Sequence, residues 1–115
     1  MTSSSTKKKT RSSDDLLESA KRGLAHEIDG LKALADSLDD LFIETLDLLS
    51  AMQGRCVVTG MGKSGHIANK IAATMASTGT PAMFVHPAEA SHGDLGMITT
   101  DDVVIALSNS GETTE

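Results

Sequence analysis

Aromatic side chains are nearly absent from this chain: 115 residues hold two phenylalanines and neither tryptophan nor tyrosine. A core must therefore rest on Leu, Ile, Val, Ala and Met. Cysteine is almost as scarce. The one thiol, Cys56, excludes an internal disulfide framework and suits a reducing cytoplasm; inside an apolar strand it reads as inert packing. No apolar run approaches the ~20 residues that a membrane-spanning helix needs. The N-terminus MTSSSTKKKTRSS is charged but lacks an apolar stretch, so it does not read as a secretory signal. The length suits one modest domain.

Charge is unevenly spread. The formal net charge is −6, yet Lys7, Lys8, Lys9 and Arg11 make the first thirteen residues basic. The acidic remainder is a poor polyanion binder, which argues against nucleic acid as a partner. The Ser/Thr/Lys tail, residues 1–13, reads as disordered.

What is present centres on Arg55 to Ile67, RCVVTGMGKSGHI. Cys56 to Thr59 is a short β-branched run of the kind a buried strand needs. Gly60, Gly62 and Gly65 follow as a turn, and His66 to Thr78 reads as a helix with Ile67, Ile71 and Met75 at four-residue steps. Strand, glycine-rich turn and helix present backbone N–H groups to an anion. Lys63 and Ser64 in the turn fit that use. The alternative is that three glycines merely make a tight turn.

Before this stretch, apolar residues from Leu17 to Met52 recur at three- and four-residue steps. They predict two helices, about 14–37 and 39–52, the first capped by Ser12 or Ser13. Their leucine-rich stripe packs either on the domain or on another subunit. After it, Ala82 to Val85 predicts a second strand opened by Pro81. Ala88 to Gly96 predicts a loop holding one helical turn, and Val103 to Leu107 a third strand. Alternating strands and helices predict an α/β fold with a parallel sheet. The third strand feeds a polar turn with no helix after it. Residues 53–115 therefore read as the first part of a larger, truncated domain. As such, the chain is expected to be marginally folded and inactive alone.

Three stretches carry candidate chemistry. Gly60-x-Gly62-x-x-Gly65 matches the dinucleotide fingerprint, but the second strand ends at Val85-His86-Pro87 without the ribose-binding carboxylate. A Walker A loop fails because position 57 is valine. The turn reads as a phosphate cradle without a nucleotide signature. Ser108 to Thr114 offers hydroxyls at a strand end. In a parallel sheet this turn and the Lys63 turn should face one crevice, with Glu112 inside it as a candidate for proton transfer. The third stretch runs from His86 to Asp94. Its two histidines and two carboxylates match no tight zinc pattern, so a histidine lining the crevice is the better reading than a metal site.

Together GMGKSGH, HPAEASHGDLGM and SNSGE closely resemble the sugar isomerase (SIS) domain of D-arabinose 5-phosphate isomerases, from about Arg55 to the end. The resemblance implies the N-terminal half of a three-layer αβα sandwich on a parallel sheet, flavodoxin-like and preceded by two helices. It implies interconversion of D-ribulose 5-phosphate and D-arabinose 5-phosphate toward Kdo and lipopolysaccharide, with no organic cofactor, in cytoplasmic homo-oligomers, dimers or tetramers. The family's motif lysine and glutamate map onto Lys63 and Glu112. Its later catalytic Glu and His, and its CBS domains, have no counterpart here.

On this reading Lys63 and Glu112 are the catalytic candidates. Gly62, Ser64, Ser108, Ser110 and Thr113 would hold phosphate, and His86 or His92 would contact the sugar. No metal or membrane partner is expected. A non-catalytic sugar-phosphate-binding SIS module of a regulator is the alternative.

Overall fold

The computed structural model describes residues 12–91 and 93–112. The expected basic tail up to Arg11, and the candidates His92 and Thr113, lie outside the described residues. The chain divides into two compact units, Met1–Asp40 and Leu41–Glu115.

The first unit carries one long helix, α1 (Ser13–Ser37). Ser12 caps it, its hydroxyl accepting from the Asp15 N–H at 3.1 Å, and Asp14 and Asp15 place negative charge in the first turn. The cap brings Ser12 and Ser13 into regular structure, two residues inside the tail expected from composition. Leu38 ends the helix in an extended conformation.

The second unit opens within the first turn of α2 (Asp40–Ala51) and continues as β1 (Cys56–Gly60), α3 (Gly62–Ser77), β2 (Ala82–Phe84), α4 (Pro87–Ser91), a 3₁₀ turn (Asp94–Met97) and β3 (Val103–Leu107). The sheet is parallel, in the order β2-β1-β3. β1 is the central strand, which explains why Cys56, Val57 and Val58 are all buried: a strand covered on both faces needs apolar residues at consecutive positions. Cys56 and Val58 meet Ala68 and Ala72 of α3, with Phe84, Ile105, Leu49 and Met52 packed around them. The alanines let α3 lie close to the sheet.

The N-terminal ends of β1 and β3 are tied by one carboxylate. Asp102 accepts from the N–H of Arg55 at 2.7 Å and of Thr99 at 2.8 Å. These bonds hold its carboxyl below the usual carboxylate range. The Arg55 guanidinium donates to the Met97 carbonyl at 3.1 Å.

Two expected boundaries need correction. The helix expected from His66 begins four residues earlier, at Gly62, with the Gly65 N–H donating to the Met61 carbonyl at 3.2 Å. Glycines disfavour helix interiors by about 1 kcal/mol, but here close packing decides. A methyl on Gly65 would lie 2.6 Å from the Gly60 carbonyl oxygen, so only glycine lets the helix start directly beneath the strand end. The second strand stops at Phe84, although the Val85 N–H still donates to Val58 at 3.0 Å. The helical turn expected in the loop from Ala88 is present as α4, starting one residue earlier at Pro87, and the 3₁₀ turn follows it.

Candidate functional site

In an open parallel sheet, ligands settle beyond the strand C-termini where successive connections leave in opposite directions. Here that point lies between β1 and β3. From β1 the chain passes to β2 on one side, then crosses to β3 on the other. Gly60 and Leu107, the last residues of the two strands, are register partners. The segments they launch, Met61–Ser64 and Ser108–Gly111, therefore start side by side.

Both segments line one cavity of about 690 Å³, within the size range of small-molecule sites. Its floor is the sheet face opposite α3, made by Val57, Thr59, Val104 and Ala106. Val85, Pro87, Ala90 and Ile98 form a further wall, and Ser64, Ser108, Asn109 and Ser110 supply polar groups at the mouth. The site thus combines an aliphatic floor with a rim of hydroxyl and amide groups.

The rim has a defined hydrogen-bond polarity. The Ser108 hydroxyl accepts from the Gly111 N–H at 2.8 Å, and the Ser110 hydroxyl accepts from the Glu112 N–H at 3.2 Å. Each hydroxyl proton remains to donate outward. Gly111 takes a φ of 72°, which closes this turn. Opposite, α3 begins without a side-chain cap on Met61, so the positive end of the helix is presented bare beside Ser64. Hydroxyl donors facing an uncapped helix start suit an anion.

Of the sequence-derived candidates, the structure brings Ser64, Ser108 and Ser110 together on this cavity. Gly62 and Lys63 lie in the exposed first turn of α3 and do not line it, and neither does exposed Glu112. His86, half-buried after β2, also stays outside the lining. Its Nδ1 accepts from the Ala88 N–H at 3.1 Å, which leaves its proton on Nε2, and its ring meets Phe84 edge-on at 6.3 Å. The described residues contain no cluster of three or more metal-ligating side chains, and no helix among them is long and apolar enough to cross a membrane.

Sequence reasoning passed over the floor. Thr59 Oγ1 is buried there without a hydrogen-bond partner among the described residues. The alternation of Val57 and Thr59 against Cys56 and Val58 carried the signal, because it sets Thr59 on the face away from the helix. Cys56, facing the helix, is buried, and burial pushes its thiol pKa up.

Comparison with known proteins gives a consistent result. Arabinose 5-phosphate isomerase KdsD of Pseudomonas aeruginosa is 60% identical over 101 residues, covering 88% of this chain and 31% of the relative. The protein of the same name in Escherichia coli K12 is 52% identical over the same length and coverage. A solved structure of an E. coli CFT073 protein in complex with arabinose 5-phosphate superposes with a TM-score of 0.84 at 48% identity, covering 90% of this chain and 55% of that one. The chain spans about a third of the length of the curated relatives it matches. A family model described as the SIS domain matches residues 49–115, the stretch that holds the sheet, α3 and every wall of the cavity, and the chain belongs to the SIS domain family.

Proposed function

We propose that the protein is an aldose–ketose isomerase that interconverts D-ribulose 5-phosphate and D-arabinose 5-phosphate. The observation that carries this reading is the meeting of Ser64, at the uncapped start of α3, with Ser108 and Ser110 across the β1–β3 switch point. That arrangement suits a phosphate held by hydroxyl donors and a helix dipole. The aliphatic floor then takes the carbon chain. The relatives named arabinose 5-phosphate isomerase, and the sugar phosphate bound in the solved neighbour, support the pentose 5-phosphate as substrate.

Isomerisation moves a proton between adjacent carbons through an enediol. It needs a base, charge stabilisation for the oxyanion and a grip that orients the substrate. Glu112, two residues beyond Ser110, is the proposed acid/base. Lys63, in the same helical turn as Ser64, is the proposed counter-charge for phosphate or oxyanion. Gly62 lets the backbone approach the ligand, its φ of 56° being open to glycine. His86, through Nε2–H, reaches the sugar hydroxyls; His92 and Thr113 complete the proposed set. The same reading makes residues 53–115 the first part of a catalytic domain, in a homo-oligomeric, cytoplasmic protein whose product leads toward Kdo and lipopolysaccharide. The lone buried thiol suits that compartment.

The test follows pentose 5-phosphate interconversion by carbon-13 NMR in a full-length parent protein and in its Lys63→Ala variant. Loss of turnover is the expected result, with phosphate binding retained if Lys63 serves the oxyanion and weakened if it serves the phosphate; unchanged turnover removes Lys63 from the mechanism. One observation favours a second reading, a non-catalytic sugar-phosphate-binding module. The cavity lining holds hydroxyls but no titratable side chain among the described residues. Binding of the pentose phosphate without conversion would select that reading.

A further inference from the structure

We propose that Thr59 determines specificity: its hydroxyl turns into the cavity and hydrogen-bonds the C3 hydroxyl of a bound pentose 5-phosphate. This role deepens the isomerase reading and rests on it for the identity of the ligand. Among the described residues, Thr59 Oγ1 is the buried side-chain oxygen that finds no hydrogen-bond partner. An unpaired buried hydroxyl costs free energy, and native structures hold few of them without a reason. The strand does not supply that reason. A central strand favours a β-branched residue here, and valine, which fills positions 57 and 58, has the same shape without the hydroxyl. The neighbours do not supply it either. Val57, Val104 and Ala106 share the floor with Thr59, and Ala106 is its register partner on β3. The small side chain of Ala106 is exposed, which keeps the floor open beside Thr59.

Thr59 is half-buried although its Oγ1 is covered, so the cavity meets other atoms of the residue. Cγ2 and Oγ1 branch from the same Cβ, and a turn of about 120° about χ1 exchanges them between staggered positions. The hydroxyl has no hydrogen bond to give up on turning, and the methyl moves into the apolar place that it leaves. Depth selects the ligand atom. Gly60 pairs with Leu107 and Thr59 with Ala106, so Thr59 lies two residues, about 7 Å along the strands, below Ser108 of the rim. With the phosphate held at the rim, that depth falls at the middle of the pentose chain, where C3 carries its hydroxyl. Val57, Val85, Val104 and Ala106 offer no other polar side chain there. A ligand hydroxyl at that depth meets Thr59 or stays unpaired, which is the condition under which one hydroxyl discriminates between substrates.

The test measures binding of D-arabinose 5-phosphate, its 3-deoxy analogue and inorganic phosphate by calorimetry, in a full-length parent protein and in its Thr59→Val and Thr59→Ser variants. Wild type should bind the 3-deoxy analogue about fivefold more weakly than the sugar phosphate itself, the value of one neutral hydrogen bond. Thr59→Val should bind the two alike, Thr59→Ser should keep the preference, and inorganic phosphate should bind all three proteins equally. Without ligand, Thr59→Val should melt at or above the wild-type temperature, because it removes an unpaired oxygen; a lower Tm would show that the hydroxyl serves a contact inside the protein and would overturn the proposed role. A wild type that binds no pentose phosphate overturns the isomerase reading and this one together. Binding without conversion overturns the isomerase reading, while the contrast in affinities still decides Thr59. An analogue bound by wild type as tightly as the sugar phosphate, or a preference that survives in Thr59→Val, overturns the role of Thr59 alone and leaves its hydroxyl to a buried water. The first of these outcomes is read from wild type, so it decides the matter even where valine is not tolerated.

Discussion

Gly65→Ala probes the junction on which the site depends. A methyl there would sit 2.6 Å from the Gly60 carbonyl oxygen and 3.3 Å from its carbon. The shortfall from ordinary contact is about 0.8 Å. Gly60 closes the central strand in register with Leu107, which leaves its carbonyl little room to turn, so α3 must lift. Lifting it separates Ala68 and Ala72 from Cys56 and Val58, the buried core of the unit. A gap of that size forfeits a quarter to a half of each contact's attraction, and overpacking of this kind costs about 3 kcal/mol at the upper end of its usual range. The better helix propensity of alanine returns about 1 kcal/mol. The net loss of about 2 kcal/mol corresponds to a fall in Tm of roughly 10 °C for a unit of this size. Thermal melting followed by circular dichroism measures it. Gly30→Ala is the control: it lies in the middle of a helix with nothing within 4 Å of the added methyl, so helicity should rise. A Gly65→Ala protein that melts at or above the wild-type temperature would refute the argument, because the helix start would then be free to move.

Asp102→Ala removes the acceptor shared by the Arg55 and Thr99 N–H groups and should lower Tm at neutral pH. The native carboxyl titrates below its ordinary range, so its contribution is complete above the unfolded value of about 3.9 and is lost as pH falls through the lower native one. The gap in Tm between wild type and variant should hold from neutrality to about pH 4 and close only below it. Cys56 should resist a thiol reagent at about pH 8 in the native protein and react fully in denaturant, since burial raises its pKa and blocks access. Rapid native reaction would show that α3 leaves the sheet readily. Ser108→Ala should weaken binding of inorganic phosphate or a pentose phosphate roughly tenfold, the value of one hydrogen bond to a charged group, with little change in Tm because the residue is exposed. Unchanged affinity would place the anion elsewhere.

Periodicity made the architecture legible. Three- and four-step apolar spacing marked α1 and α2, and the β-branched runs marked β1 and β3 within a residue of their ends. The parallel order followed from alternation of element types, and the shared crevice for Ser64, Ser108 and Ser110 followed from the parallel order. The start of α3 was hidden because glycine propensity argues against helix at Gly62 and Gly65. The fact that reverses it, the nearness of the Gly60 carbonyl, is tertiary. The places of Lys63 and Glu112 outside the cavity lining were hidden for a similar reason. Motif spacing gives nearness along the chain, whereas the direction of a helix's first turn is set by how it meets the strand. His86 sits two residues from a backbone N–H that occupies its Nδ1, a local contact that sequence alone does not orient.

The place of β1 between its two neighbours has a consequence for the order in which the molecule is completed. β1, α3 and β2 form one nearly continuous run from Cys56 to Phe84, joined by short connections, and their contacts can form early. β3 comes later in the chain and must close a longer loop to reach the opposite edge of β1. The Ser108–Gly111 rim exists only once that edge has docked. A ligand spanning both rims therefore binds the docked state alone and holds β3 in place by mass action, by about 2.7 kcal/mol at a hundredfold excess over its Kd. Ligand occupancy would accordingly be written in the amide exchange of β3 while leaving that of β1 and α3 almost unchanged.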